Sequence, residues 1–469
     1  MKLPWWVTAL DVIAVTFALA ALSVALFGGF RLAIPGGRLS MTDWIRPAAY
    51  CASALLLRHA VVRRHPLPQR VVAAIVAWWR APDTTLILPI HLATRGGVLA
   101  IGFLAVILVG FPEEAAQRWR IYNNAFLDLP ARWDTGWYLG IATEQYSWNP
   151  ELTDRQQNIA FFPAFPMLMR YLSPVLGRQP LWTGVLISLT AFFWALVYLL
   201  RLARDELGSD EQAAAVVTLL AAYPFAVFFS AAYSESLFLL TTVAAVYHFR
   251  REQLWRAAAW GVVAGLTRPN GCLLSVVLGL MAVQPLWGSS RWRVEWPPRM
   301  GWGRMAARLA AASTPGIGML AYSAFIYTLT GHPFQWVAQN AAWGRVYRGL
   351  DTVVADRWAY ISMYGLYGYA STQTVDFFYL LAVAFCLGAV WPVYRRFGVP
   401  YAAMLIINVL PPIAAGGLLS MGRVTSVLFP AFLWLGGAVP ARHRSAWLMF
   451  FAALQGFVAV MFFTWRQLY

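Results

Sequence analysis

Long apolar runs separated by short polar breaks make up nearly the whole chain. They lie near residues 5–29, 45–62 and 88–111, then, after a polar and aromatic stretch from 112 to about 160, near 180–203, 212–229, 234–249, 257–285, 306–329, 379–395, 400–418, 424–440 and 446–464. Most have the length that carries a helix across a hydrocarbon layer, where a helix pairs its own backbone groups. The pattern predicts an all-α polytopic membrane protein. The first run outlasts the apolar core of a signal peptide and reads as the first span. Orientation follows from the arginine-rich connections RHAVVRRHPLPQR, RLARDE, HFRREQLWR, RWRVEWPPRMGWGR, YRRFG and ARHR, which belong in the cytoplasm. These agree with one another only if 257–285 crosses twice, turning at Arg268-Pro269-Asn270-Gly271, where Pro and Gly break a helix. The count then comes to about thirteen transmembrane helices. The chain divides into N-terminal helices (1–111), a first large external loop (112–178), central helices (179–329), a second external loop (330–378) and C-terminal helices (379–469).

Composition agrees and removes other classes. Of 469 residues, 60% are hydrophobic and only 12% charged, which no water-soluble fold could bury. The net charge of +16 would suggest nucleic acid in a soluble protein, but here the arginines sit in short connections as topology signals, so no nucleic-acid partner is expected. Cys51, Cys272 and Cys386 are isolated in apolar stretches, without the spacing of a disulfide framework or a zinc site. Six scattered histidines form no ligand pair, and no protein-built metal centre is expected.

The crossing parity places the 112–160 loop, AAYSES at 231–236, TRPNG at 267–271 and SMGR at 420–423 on the non-cytoplasmic side, where they either stay separate loop ends or build one cavity. Asp134 has the most unusual setting, with Arg132 two residues before it and Trp133 and Trp137 around it. Desolvation by indoles raises a carboxylate's basicity and an arginine lowers it, which suits a general base. The same Asp-Thr-Gly-Trp-Tyr-Leu stretch also suits a helix N-cap. In NIAFFPAFPML, Pro163 and Pro166 shape a bent membrane entry with Phe161, Phe162 and Phe165 as interfacial anchors. Glu235 heads a span, facing a polar cavity or closing a capping box with Ser234. Arg268 and Arg423 stand at the non-cytoplasmic ends of spans, against the charge bias. A guanidinium there calls for an anion, and its fork fits the phosphate of a lipid headgroup or of a substrate. The second external loop carries Gln335, Trp336, Gln339, Trp343, Arg345 and Arg348, and reads first as a membrane-surface helix, with sugar contact secondary.

ARWDTGWYLGIA, NIAFFPAFP, AAYSESLFLL, GLTRPNG and SMGRVTSVLFPAF resemble, in order, segments of the PIG-V family, the second mannosyltransferase of glycosylphosphatidylinositol-anchor synthesis, and its bacterial relatives. The likeness runs from about 130 to 435. It departs in the amount of membrane ahead of the WD loop, and in a valine after Arg423 where tyrosine is usual. The resemblance implies a GT-C-type fold and an inverting transfer of a sugar, mannose in that family, from a polyprenyl-phosphate donor to an acceptor hydroxyl outside the cytoplasm of the plasma (inner) membrane. Asp134 becomes the general base. Arg268 and Arg423 become phosphate ligands, with Arg132 a third or an orienter of Asp134. Trp133, Asn158, Glu235, Asn270, Gln335 and Trp343 are the candidates for holding sugar or acceptor. No cofactor is required, and a weakly held Mg²⁺ or Mn²⁺ is compatible. The acceptor is a glycolipid, a polysaccharide or a protein hydroxyl. The competing reading is a transporter or flippase of polyprenyl-linked sugars, which needs polar elements reachable from both faces; a non-catalytic scaffold leaves the polar residues without purpose.

Overall fold

The computed structural model describes residues 4–34, 37–62, 66–115, 120–284 and 301–466. Three helices come first: α1 (Trp5–Phe27), α2 (Ile45–Val61) and α3 (Leu67–Trp79). Between α1 and α2 runs a hairpin, Phe30–Ile34 antiparallel to Gly37–Met41, which the all-α expectation did not contain. This N-terminal unit has its own small core of Ala14, Ala54 and Leu67. Of the arginines in RHAVVRRHPLPQR, Arg58 is buried 3.0 Å from Asp11 of α1 and Arg70 pairs with the same carboxylate, while Arg63 and Arg64 lie outside the described residues. A carboxylate buried in an apolar helix needs such partners.

The main bundle begins with α4 (Pro82–Leu108), followed by the short helices α5 (Thr135–Glu144) and α6 (Ala164–Leu172). Next come α7 (Pro180–Leu207), α8 (Asp210–Ala222) and α9 (Glu235–Arg250). Gly208, in the left-handed region at φ +66°, ends α7, and the Ser209 hydroxyl caps α8 by accepting from the Gln212 N–H. Helix α9 is buried along its length to Phe249, as an element apolar on all sides must be. The expected break at 268–271 is present: α10 (Leu254–Thr267) and α11 (Leu274–Val283) flank a tight turn at Pro269–Leu273. After α12 (Trp302–Thr330), the second loop forms α13 (Gln335–Ala338), a turn at Gln339–Trp343 and α14 (Leu350–Thr372), kinked at Gly365. The expected surface helix over 331–351 is thus a set of short turns. The chain closes with α15 (Thr374–Phe397), α16 (Val399–Gly416), α17 (Met421–Ser426), α18 (Phe429–Ala438) and α19 (Ala441–Phe463).

Seven of the described helices are long and apolar enough to cross a membrane alone: α1, α4, α7, α12, α15, α16 and α19. The pair formed by α8 and Pro224–Ser230, bent by 78°, adds an eighth if it is one span. The bend exposes carbonyls that have lost helical partners. Arg95 of α4, fully buried, donates to the Ala221 carbonyl at 2.6 Å and to Ser230 Oγ at 3.1 Å, and Gln455 of α19 donates to the carbonyls of Ala221 and Tyr223. That bend aims residues 231–236 at the end of the bundle.

The two ends differ. Helix α9 carries Glu235 at one end and Arg250 at the other, about 22 Å apart at 1.5 Å per residue. At the Arg250 end, Arg250 meets Glu206, Arg251 meets Asp205, Arg304 and Arg308 meet Glu252, and Arg444 meets Glu211. The RLARDE, HFRREQLWR and ARHR connections share this end, as expected. Of RWRVEWPPRMGWGR, Arg291, Arg293 and Arg299 lie outside the described residues. Loops 120–134, 231–234, 268–273 and 417–420 meet at the Glu235 end.

Candidate active site

A cavity of about 920 Å³ opens at the Glu235 end. Five separate stretches build it: the turn into α5, the loop at 156–162, the turn after α10, the second loop, and the junction of α16 and α17. At its floor, one guanidinium ties two of them to the start of α9. Arg423, near the start of α17, donates through Nε to Glu235 Oε1 at 2.6 Å and through Nη1 to Asp134 Oδ2. Arg268 adds a second cation, its Nη1 2.6 Å from the same Glu235 oxygen, within ion-pair reach though not aligned as a hydrogen bond. Glu235 is wholly buried, and Asp134 keeps 18% of its side chain exposed toward the cavity. Two carboxylates therefore share two guanidiniums in a setting where unpaired charge is prohibitively costly.

Asp134 opens α5 but makes no side-chain capping bond, which removes the N-cap alternative. Its carboxylate is turned to Arg423 instead. Ser234 likewise forms no capping box; its hydroxyl bonds Tyr138 at 2.8 Å. Burial pushes the Tyr138 phenol up to about 12, and nearby Glu235 adds to the shift, so Tyr138 stays protonated. Just before Asp134, Trp133 adopts φ +49°, a conformation that bulky residues avoid at a cost of about 1–3 kcal/mol. Its indole N–H donates to the Phe462 carbonyl at 3.2 Å and its ring packs on Trp465 at 4.8 Å.

The expected site residues divide. Asp134, Arg268, Arg423, Trp133, Asn270 and Trp343 line the cavity, and Glu235 sits directly behind Arg423 and Arg268. Asn270 is held by Asn408 of α16 at 2.9 Å. Arg132 does not join them. It points away, donating to the carbonyls of Phe463, Asp128 and Ala131 at 2.6, 2.7 and 2.8 Å and lying over the Phe111 ring. Burial lowers its pKa to about 10. It orients the turn from behind, and Arg423 is the cation that holds Asp134. Asn158 is also corrected: its amide accepts from the Ser147 N–H at 3.1 Å and donates to the Gln145 carbonyl at 3.1 Å, stapling the loop outside the cavity. Gln335 does not line the cavity; Asn340 of the same loop does. Phe162 and Phe165 are core residues rather than interfacial anchors, at 1% and 0% exposure.

Several wall residues were not assigned to the site by the sequence. Trp137, stacked on Phe161 at 5.9 Å, meets the edge of Trp343 at 5.3 Å, and these three rings line one side of the cavity with Gln156 and Asn340 near them. Helical spacing could have found Trp137 and Tyr138, three and four residues after Asp134. Arg345 brings a third guanidinium to the wall. Among the described residues, no three His, Cys, Asp or Glu side chains stand close enough together to hold a metal ion. The Trp343 indole N–H and the second Glu235 oxygen are buried without a hydrogen-bond partner.

Known proteins resemble this chain, in part over stretches that build the cavity. The family model for Mannosyltransferase (PIG-V) matches residues 102–345, more than half of the chain, including Asp134, Glu235 and Arg268. Human GPI alpha-1,6-mannosyltransferase 2 is 28% identical over 271 residues, which cover 54% of this chain and 53% of that protein. The chain thus matches about half the length of this curated relative. Among solved structures, the Archaeoglobus fulgidus oligosaccharyltransferase in its apo form aligns with a TM-score of 0.38 and 13% identity over 80% of this chain and 56% of that one. The same organism's AglB in complex with an inhibitory peptide and a dolichol-phosphate aligns with a TM-score of 0.35 and 13% identity, over 81% of this chain and 56% of that one. Scores this low carry no argument about fold or ligand. The family match is different in kind, because it covers more than half of the chain, with the Asp134 turn, Glu235 and Arg268 inside it: the chain belongs to the PIG-V mannosyltransferase family.

Proposed function

We propose that this protein is an inverting glycosyltransferase that moves a sugar, mannose by family, from a polyprenyl-phosphate donor to an acceptor hydroxyl on the non-cytoplasmic side of the plasma (inner) membrane. The observation that carries the reading is the convergence of Asp134, Glu235, Arg268 and Arg423 at the floor of one cavity, although up to 289 positions separate them in sequence. In the proposed step, Asp134 accepts the proton of the acceptor hydroxyl while that oxygen attacks the anomeric carbon. The bond from that carbon to the phosphate oxygen breaks, and both electrons leave with the polyprenyl phosphate. The leaving phosphate gains negative charge, and guanidiniums fixed in a low-dielectric cavity stabilise it without reorganisation. Arg268 and Arg423 are placed for this. Glu235 holds both of them and keeps their forks in position before the donor arrives. No resident metal is needed for these steps.

The aromatic wall of Trp137, Phe161 and Trp343 suits a sugar ring, and the Trp343 N–H supplies a buried donor for one hydroxyl. Added to the seven long helices, α2, the bent α8 segment, α9, α10, α11 and the pair α17 and α18, read as further passes, bring the GT-C-type fold to about thirteen spans. The arginine-rich Arg250 end then faces the cytoplasm, which puts the cavity outside. In vesicles holding the purified protein, sugar from a radiolabelled polyprenyl-phosphate donor should appear on a hydroxyl acceptor with release of polyprenyl phosphate. Transbilayer movement of the intact donor, with no bond cleaved, would replace this reading with a flippase.

A further inference from the structure

A base is useful only if its carboxylate stays at a fixed distance from the cation that will meet the leaving group. The turn that carries Asp134 has little tendency to hold itself there, because Trp133 sits at φ +49°. Arg132 and Trp133 are tied from behind, to the carbonyls of Phe463 and Phe462. Beneath the turn, one buried residue adds a further restraint. The Asp134 N–H, which the start of a helix leaves without an intrahelical partner, donates to the Tyr233 phenolic oxygen at 3.0 Å, and that hydroxyl reaches back to the Arg132 carbonyl at 3.5 Å. The face of the same ring lies 4.7 Å below the Arg423 guanidinium carbon. Tyr233 is fully buried, and its own carbonyl is fixed by the Ser188 hydroxyl at 3.0 Å.

We propose that Tyr233 is a positioning residue that sets the spacing between Asp134 and Arg423, its hydroxyl holding the main chain of one and its ring the charge of the other. The proposal rests on the reading of Asp134 as the base. Tyr233 touches no reacting atom. Its hydroxyl and its ring are separable: Tyr233→Phe releases the Asp134 main chain and keeps the ring beneath Arg423, whereas Tyr233→Leu removes both.

The test uses the full chain in vesicles with a polyprenyl-phosphate sugar donor, and adds hydrogen exchange of the peptide spanning residues 131–136. Tyr233→Phe should lower kcat about 10- to 100-fold, the scale of a reacting group displaced by about 1 Å, with donor KM unchanged. Exchange across 131–136 should rise in the same variant. Tyr233→Leu should lose more activity and also raise donor KM, because Arg423 is no longer supported. Tyr401→Phe removes an equally buried hydroxyl, one bonded to Glu206 at the other end of the bundle, and should leave both readouts as in the parent. A Tyr233→Phe variant with parental kcat, or with reduced kcat and unchanged exchange over 131–136, overturns the proposal. If the parent itself transfers no sugar, the functional reading fails and exchange alone decides: a rise confined to 131–136 still supports the positioning role, and no rise ends it.

Discussion

The two ends of α9 use the same residue types to opposite effect. At the Arg250 end, ion pairs join helix to helix, and each has a member that reaches water: Glu211 is 69% exposed in its pair with Arg444, and Arg250 is 39% exposed opposite the buried Glu206. At the Glu235 end, one buried carboxylate holds two arginines and one of these arginines holds a second carboxylate. Pairs of the first kind contribute about 0–1 kcal/mol each and tolerate substitution. A buried, shared network costs desolvation energy that an apolar core would not incur, and at the cavity floor the proposed function gives that cost a use in chemistry. On that proposal, the contrast separates charge that anchors a bundle from charge that prepares a reaction.

Substitutions can break that contrast, and the largest effect belongs to Asp134. Asp134→Asn keeps the size and loses the proton acceptor, so kcat should fall about 10²- to 10⁴-fold with donor binding retained. Transfer at the parental rate, measured with radiolabelled donor in vesicles, would remove Asp134 from the mechanism. Arg423→Lys comes next. A single ammonium lacks the planar fork that spans Glu235 and Asp134, and kcat should drop about 10²-fold, with a lowered unfolding temperature in detergent. An activity loss confined to KM would make Arg423 a binding group only. Trp343→Ala should raise KM about tenfold with kcat nearly intact, since an aromatic contact contributes about 0.5–1.5 kcal/mol. The smallest change sharpens the comparison from the other side: Arg444→Ala should cost less than about 1 kcal/mol and leave transfer as in the parent, read by thermal unfolding and the same assay.

Much of this contrast is legible in the sequence, for reasons that also explain the misses. Apolar length marks the long spans, and the Pro-Asn-Gly triplet after Arg268 marks the break between α10 and α11, because both signals are local. Arg268 and Arg423 stand out by sitting where the charge bias disfavours them. Arg132 was misplaced as a phosphate ligand because nearness in sequence to Asp134 does not give nearness in direction: on either side of the non-helical turn at Trp133, the Arg132 side chain goes back to α19 and the Asp134 side chain to Arg423. Asn158 and Gln335 failed for a related reason, since loops built of short turns carry no period from which a face can be read. The hairpin before α2 did carry a signal, Pro35-Gly36-Gly37 between two short mixed runs, that the search for apolar spans passed over. The pairing of Arg423 with both acids, and the place of Tyr233 beneath it, depend on contacts across many helices that no local pattern encodes.

The hold of α19 on the Asp134 turn has a consequence for biogenesis. The carbonyls of Phe462 and Phe463 leave the ribosome long after residues 132 and 133, so the strained turn waits through synthesis of more than three hundred residues before its rear restraints exist. A nascent chain arrested before α19 should therefore insert most of its helices yet hold no ordered Asp134 turn, and the turn should order only when the last span has docked.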